Sequence, residues 1–382
     1  MNLDGKHMEI NMHNKFISLI LSILFVIYIF FFGIMVNIKT PGKISKSERR
    51  DLACKPSVSI SSISDGTFFD LYEQFLLDQF PDRDGFRRLK SYNRFYIFNQ
   101  SDNHGIFIQD GYAAKISYPL TEKSENVYVK RLNAINEQYF EGNNMKVYNT
   151  IIPDKAYFLA DKAGCPKIDY ENLVSRVSKN APGEYIDIFS ALSIEDYYKT
   201  DTHWSQNRII PCADRLLSAM GRTINADTYE KTKLSPFYGV YYGESALPLV
   251  PDVITCIGSP VIDSAVLTRA DKTGVFEDGR IYCDENINAD DAYDVFLGGA
   301  STVMVIDNTK VNGGRVLYLI SDSFGRSLAP LLLSDYDEVI MYDIRYIKMS
   351  EAINLAPLYT DSDVLFAYSI GAIDVSSNLQ AD

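Results

Sequence analysis

The sequence predicts an α/β protein built on an open, mainly parallel sheet, with one apolar helix ahead of it and one irregular insertion within it. Three observations carry that prediction. Short apolar runs closed by polar residues or proline, such as Lys146 to Ile152 before Pro153, read as buried strands. Segments with apolar residues at helical spacing alternate with those runs. Residues 222–290, dense in Tyr, Gly and Pro, interrupt the alternation and read as an irregular insertion with short strands.

The elements follow in order. After a tail of residues 1–15, residues 16–36 carry no charge, are apolar on every face and are about as long as a bilayer-crossing helix. No Ala-x-Ala-like site follows them, which predicts an uncleaved signal anchor. Residues 37–64, rich in Lys, Ser, Pro and Gly, read as a linker, and residues 65–382 as the folded domain. Helices are expected over Phe68 to Phe80, stopped by Pro81, over Asp84 to Phe98 and over Ser124 to Phe140. Ile106-Phe107-Ile108 before Asp110-Gly111 is a strand and a tight turn. A helix near Asp169 to Ser178, a strand Tyr185 to Phe189 and a helix Gln206 to Met220 continue the rhythm. Beyond the insertion come a buried strand ending near Ser321, a helix behind it with Pro330 in its first turn, and a strand Glu338 to Tyr342.

Composition narrows the function. At 382 residues, 46% of them hydrophobic, the chain can bury a large core. Residues 51–382 hold 30 Lys/Arg against 47 Asp/Glu, a net of −17, so this body has no electrostatic reason to bind nucleic acid. Lys39, Lys43, Lys46, Arg49 and Arg50 follow the apolar segment, whereas only Lys6 and Lys15 precede it; charge bias alone would keep the large domain in the cytoplasm. Five cysteines without Cys-x-x-Cys spacing, and two histidines in the folded part, predict no metal site and no cofactor. One or two disulfides would leave at least one thiol over.

Four histidines leave few places for acid–base chemistry. His7 and His13 lie in the tail, and His104 sits in the turn-rich Ser101 to Gly105. His203 stands two residues after Asp201 in Asp201-Thr202-His203-Trp204, where i and i+2 side chains point the same way. A carboxylate on one ring nitrogen leaves the other free as a base. The nucleophile candidate is Ser323 in Ser321-Asp322-Ser323-Phe324-Gly325, placed between the end of a strand and the start of a helix, at the sheet edge where open α/β folds hold ligands. Arg345 and Tyr346 follow the next strand and either line the same edge or pair locally with Asp343.

The chain resembles the SGNH-hydrolase-like proteins of the DHHW family, which are similar to periplasmic alginate O-acetyltransferases. The resemblance rests on Asp78-Gln-Phe-Pro-Asp-Arg83, Tyr198-Lys-Thr-Asp-Thr-His-Trp204, Phe296-Leu-Gly-Gly299, Ser321-Asp-Ser-Phe-Gly325 and Asp343-Ile-Arg-Tyr346, in that order. It implies a flavodoxin-like SGNH three-layer core with Asp201, His203 and Ser323 as triad, Gly299 and Phe324 at the oxyanion or substrate site, and Arg345 and Tyr346 beside it. It further implies an extracytoplasmic domain on a single-pass anchor, a polysaccharide acceptor, and an acyl donor passed on by a multi-pass membrane acyltransferase. Where the family pattern has Gly-Gly-Asn, this chain has Gly298-Gly299-Ala300, one amide donor fewer. An oxyanion donor is worth on the order of a hundredfold in rate. Two other readings of the same residues are an esterase that discharges the acyl group to water, and a non-catalytic glycan-binding or scaffold subunit.

Overall fold

The computed structural model describes residues 3–223, 229–270, 273–309 and 315–382, with side chains from Lys15 onward. The chain divides into two compact units, residues 1–92 and 93–382.

In the first unit the apolar segment lies within one helix, Leu3–Ile38. The expected linker is instead folded. Ile44–Ser45 pairs antiparallel with Arg50–Asp51, and Gln79 ties Gly42 through its N–H and carbonyl, at 2.8 and 2.9 Å. The helices that follow, Thr67–Asp78 and Arg83–Tyr92, meet this hairpin through a charge cluster. Arg50 reaches Asp78 at 2.6 Å, and Glu48 lies 2.5 Å from Arg83 and 3.2 Å from Arg87. Composition suggested a flexible strip because the partners of these charges lie some thirty residues downstream, out of reach of a local reading. The unit boundary therefore falls after residue 92 rather than after 64.

The second unit is an eight-stranded sheet between helices. Its strands, in chain order, are β1 Lys146–Ile152, β2 Glu184–Tyr185, β3 Val266–Ala270, β4 Phe276–Gly279, β5 Val303–Asp307, β6 Val316–Ser321, β7 Glu338–Tyr342 and β8 Asp363–Ser369. They lie side by side as β4-β3-β5-β7-β6-β8-β1-β2. The run from β7 to β2 is parallel, and β4, β3 and β5 extend it antiparallel. Strand β6 is buried along its whole length, as a central strand covered on both faces must be. Apolar clusters fill both faces: Leu317, Leu319, Leu328 and Trp204 on one, Tyr318, Ile320, Tyr128 and Phe366 on the other.

Several expectations shift by a turn or more. The helix placed at Gln206 begins at Ile210, with Pro211 in its first turn, because Ser205 to Ile209 close a turn of their own. The strand over Tyr185 to Phe189 pairs only at Glu184–Tyr185, since the Asp187 carboxylate takes the Phe189 N–H at 3.1 Å and turns the chain away. The helix behind β6 starts at Gly325, which puts Pro330 inside it rather than in its first turn. Residues 222–290 are more ordered than expected: Glu230–Phe237 pairs with Asp252–Gly258, and β3 and β4 join the main sheet. Residues 224–228 and 271–272 of that stretch lie outside the described residues. The five cysteines are all free thiols.

Candidate active site

The site is built at the C-terminal end of β6. Ser323 follows the strand by two residues and precedes the helix Gly325–Leu332. The turn that holds it is set by Asp322. One oxygen of that buried carboxylate accepts the Phe324 N–H at 3.0 Å; the other accepts the N–H and hydroxyl of Ser369, at the end of neighbouring β8, at 3.0 and 2.5 Å. A buried carboxylate needs such donors, and here they anchor the serine turn to the adjacent strand.

The acid–base loop approaches from residues 197–204, closed on itself by a bridge between Tyr197 and Trp204. Asp201 is fully buried and His203 nearly so. Asp201 Oδ1 accepts the His203 backbone N–H at 3.0 Å and lies 2.6 Å from Nδ1. On the far side of the ring, Nε2 lies 2.8 Å from Ser323 Oγ. The three residues nominated from sequence thus form one chain of hydrogen bonds, carboxylate to imidazole to hydroxyl. Ser323 itself is half-buried, and clefts of about 600 and 740 Å3 elsewhere on the unit are lined by none of the three.

The imidazole is held on its faces as well. Tyr293 stacks on it with ring centroids 3.8 Å apart and planes 6° apart, and the Phe324 ring leans on it at 4.8 Å. The Tyr293 hydroxyl donates to Ser327 Oγ at 2.7 Å, and Trp204 Nε1 donates to the same oxygen at 2.9 Å. Behind Tyr293 lies the Arg326 guanidinium, 5.1 Å from the ring centroid and 2.6 Å from Asp294. Nothing in the sequence singles out Tyr293, one of the chain's 26 tyrosines, which lies just past the stretch 222–290 read as irregular.

The insertion clamps the loop from outside. Asp252 accepts the N–H groups of Lys199 and Thr200, at 2.8 and 2.7 Å, and the Thr200 hydroxyl at 2.6 Å. Val240 N–H donates to the second oxygen of Asp201 at 2.9 Å. Gly239 lies so close that a Cβ there would meet the Asp201 backbone and Cβ at 2.3 to 2.5 Å, so only glycine fits. Tyr242 N–H donates to the Thr200 carbonyl at 3.1 Å, and its ring sits 4.7 Å from that of half-exposed Tyr238. From the sheet side, the buried Lys155 amine donates to the carbonyls of Tyr198 and Lys199, at 2.9 and 3.3 Å. Burial brings its pKa down to about 7, against the pull of Asp201 and Asp252.

The remaining nominated residues divide. Phe324 and Gly299 are expected at the oxyanion or substrate site, and both amides are engaged: Phe324 N–H with Asp322, and Gly299 N–H with the Phe296 carbonyl at 3.2 Å. Gly299 has φ +95°, and a Cβ there would meet the Asp294 carboxylate, so glycine lets the chain pass that ion pair. The Ser323 N–H has no acceptor among the described residues. Arg345 clasps Asp343 through Nε at 2.8 Å and Nη2 at 2.5 Å, and lies over the Tyr346 ring. Of its two readings, the local ion pair is the one the geometry favours. His104 is an exposed turn residue with φ 54°.

The DHHW protein family matches residues 99–342 of the chain. No curated protein matches it in sequence. Among solved structures, a DHHW family protein from Eubacterium siraeum is 20% identical, with a TM-score of 0.59 over 74% of this chain and 98% of that one. PatB1 of Bacillus cereus, described with a sulfonyl adduct, is 18% identical, with a TM-score of 0.56 over 70% and 95%. The O-acetyltransferase domain of Pseudomonas putida AlgJ, 14% identical over 71% and 92%, reaches a TM-score of only 0.41. The first two likenesses establish the shared fold.

Proposed function

The chain belongs to the DHHW protein family, and from that premise we propose that it is a membrane-anchored, extracytoplasmic serine O-acyltransferase that acetylates hydroxyls of a cell-surface or exported polysaccharide. The observation that carries the proposal is the continuous Asp201–His203–Ser323 chain, with contacts of 2.6 and 2.8 Å. In the proposed reaction Asp201 holds the Nδ1–H tautomer, and Nε2 takes the Ser323 proton as Oγ attacks the carbonyl of an acetyl ester. The Ser323 N–H faces the oxyanion. Collapse expels the donor's alkoxide, which leaves with the proton from His203, and an acetyl-serine remains. An incoming sugar hydroxyl then gives its proton to Nε2 and attacks the acetyl carbon. Ser323 Oγ departs and recovers that proton.

The half-buried serine suits a polymer laid across an open surface, and the Tyr238–Tyr242 ring pair beside Thr200 offers apolar faces for sugar rings. The helix Leu3–Ile38 supplies the anchor in this reading, its apolar stretch running from Lys15 to Ile38, and a multi-pass membrane acyltransferase supplies the donor. A second reading, a non-catalytic glycan-binding subunit, is favoured by one specific observation: the Phe324 and Gly299 amides are already bonded and Ala300 carries no amide side chain.

The test uses the full-length protein, wild type beside Ser323→Ala and His203→Ala, treated with a sulfonyl fluoride and with an activated acetyl ester, with and without cell-surface oligosaccharides. Intact mass is expected to reveal a Ser323-dependent adduct and acetylated glycan. Discharge to water alone identifies an esterase. A folded wild-type protein that forms no adduct with either reagent leaves the binding-subunit reading.

A further inference from the structure

The helix Arg83–Tyr92 is packed the wrong way round for a helix facing water. Its polar face, Arg83, Arg87 and Ser91 at i, i+4 and i+8, is turned inward: the two arginines pair with Glu48, and Ser91 is fully buried. The opposite stripe is apolar and exposed: Phe86 at 41%, Leu89 at 55% and Tyr92 at 52%. Leu77, at 62%, adds to it from the preceding helix, and exposed Arg88 and Lys90 flank it.

What covers this face is given by its continuity with the apolar helix. Phe32 of Leu3–Ile38 stacks on Phe80 at 4.9 Å and meets Phe86 edge-on at 6.5 Å, while Phe80 and Phe86 lie 5.3 Å apart. Phe32 precedes the end of the helix, Ile38, by six residues, about 9 Å at helical rise. An apolar helix of this length brings its last turns to the edge of a hydrocarbon core about 30 Å thick. Whatever is packed against Phe32 therefore lies at that depth.

We propose that the helix Arg83–Tyr92, with Leu77 and Phe80, is an interfacial membrane-docking surface whose occupant is the boundary between lipid headgroups and acyl chains. Leu89 and Phe86 enter the acyl margin, Tyr92 sits at headgroup level, and Arg88 and Lys90 face the lipid phosphates. The ion pairs with Glu48 fix the helix to the hairpin so that the apolar stripe points outward. This rests on the reading of Leu3–Ile38 as a membrane span.

The experiment uses the full chain in phospholipid vesicles brominated either near the carbonyl end or near the methyl end of the acyl chains. Leu89→Trp and Ile27→Trp are made separately; both parent side chains are exposed, so neither substitution displaces a packed group, and the native Trp204 is fully buried. The proposal expects Leu89→Trp to lose most of its added fluorescence to shallow bromine and little to deep bromine, with Ile27→Trp quenched by deep bromine. If Ile27→Trp is quenched and Leu89→Trp is not, the anchor stands and the docking surface is wrong. A blue-shifted but unquenched Leu89→Trp also overturns it, since a protein then covers the face. If Ile27→Trp escapes quenching, the span itself fails and the proposal falls with it.

Discussion

Asp201 and Asp343 each sit two residues before a basic side chain, both are buried, and both lie near the C-terminal edge of the same sheet. Their pairs do different things. The imidazole of His203 offers one nitrogen to Asp201 and keeps the other for Ser323. The guanidinium of Arg345 sets two nitrogens against the two oxygens of Asp343, so the pair closes on itself. Identical spacing therefore leads to a relay in one place and a clasp in the other, and the donor geometry of the second residue decides which. The surroundings follow suit. Asp201 is embraced by the insertion through Val240 and Gly239, while the Asp343 N–H simply continues the backbone pairing with Thr302 at 3.1 Å.

The sharpest way to break this contrast is to neutralise each carboxylate in turn. Asp201→Asn removes the acceptor that selects the imidazole tautomer, and acyl transfer is expected to fall by roughly 10^2- to 10^4-fold with little change in unfolding free energy. Asp343→Asn is expected to do the reverse. It strands a largely buried guanidinium at a loss on the order of 3 kcal/mol in denaturant unfolding, while activity per folded molecule is kept. If Asp343→Asn abolishes turnover in a folded protein, the clasp belongs to the chemistry after all.

A smaller effect per pH unit comes from Lys155, the buried amine that holds the Tyr198 and Lys199 carbonyls behind the Asp201 loop. Its folded pKa of about 7 lies below the 10.5 of the unfolded chain, so between those values the unfolded state holds more protons. Stability should therefore rise with pH from about 7 to 10.5, by at most about 1.4 kcal/mol per unit from this group. Urea unfolding of wild type and Lys155→Met across that range checks it; equal slopes would remove Lys155 from the account. The smallest expected effect is at Tyr293→Phe, which keeps the ring on His203 and drops only the hydroxyl bond to Ser327. A loss of about 1 kcal/mol, seen as a drop of roughly 2–4 °C in Tm with turnover intact, is the outcome that separates ring stacking from hydrogen bonding.

Legibility followed sequence distance. The strands Lys146–Ile152 and Glu338–Tyr342 were read to the residue, because each is a run whose own apolar content announces burial and whose ends carry polar residues or proline. The helix of residues 83–92 was legible as a helix, but not its inverted packing, which depends on Glu48.

By itself the sequence determined the apolar helix, the α/β alternation and the three residues of the candidate site. The first is read from an uncharged run apolar on every face, the second from local periodicity, and the third from the scarcity of histidine in a chain that has four, together with the strand-to-helix position of Ser323. Only the tertiary structure decided which amides are still available at the serine, that Tyr293 stacks on His203, that Lys155 is buried behind the loop, and that the insertion clamps Asp201. Apart from the amide bonds at the serine turn, those contacts join residues some 40 to 90 positions apart, as with Val240 on Asp201 and Tyr293 on His203. No composition or spacing along the chain encodes which distant side chain arrives; that follows from how the sheet orders its strands and where each strand ends.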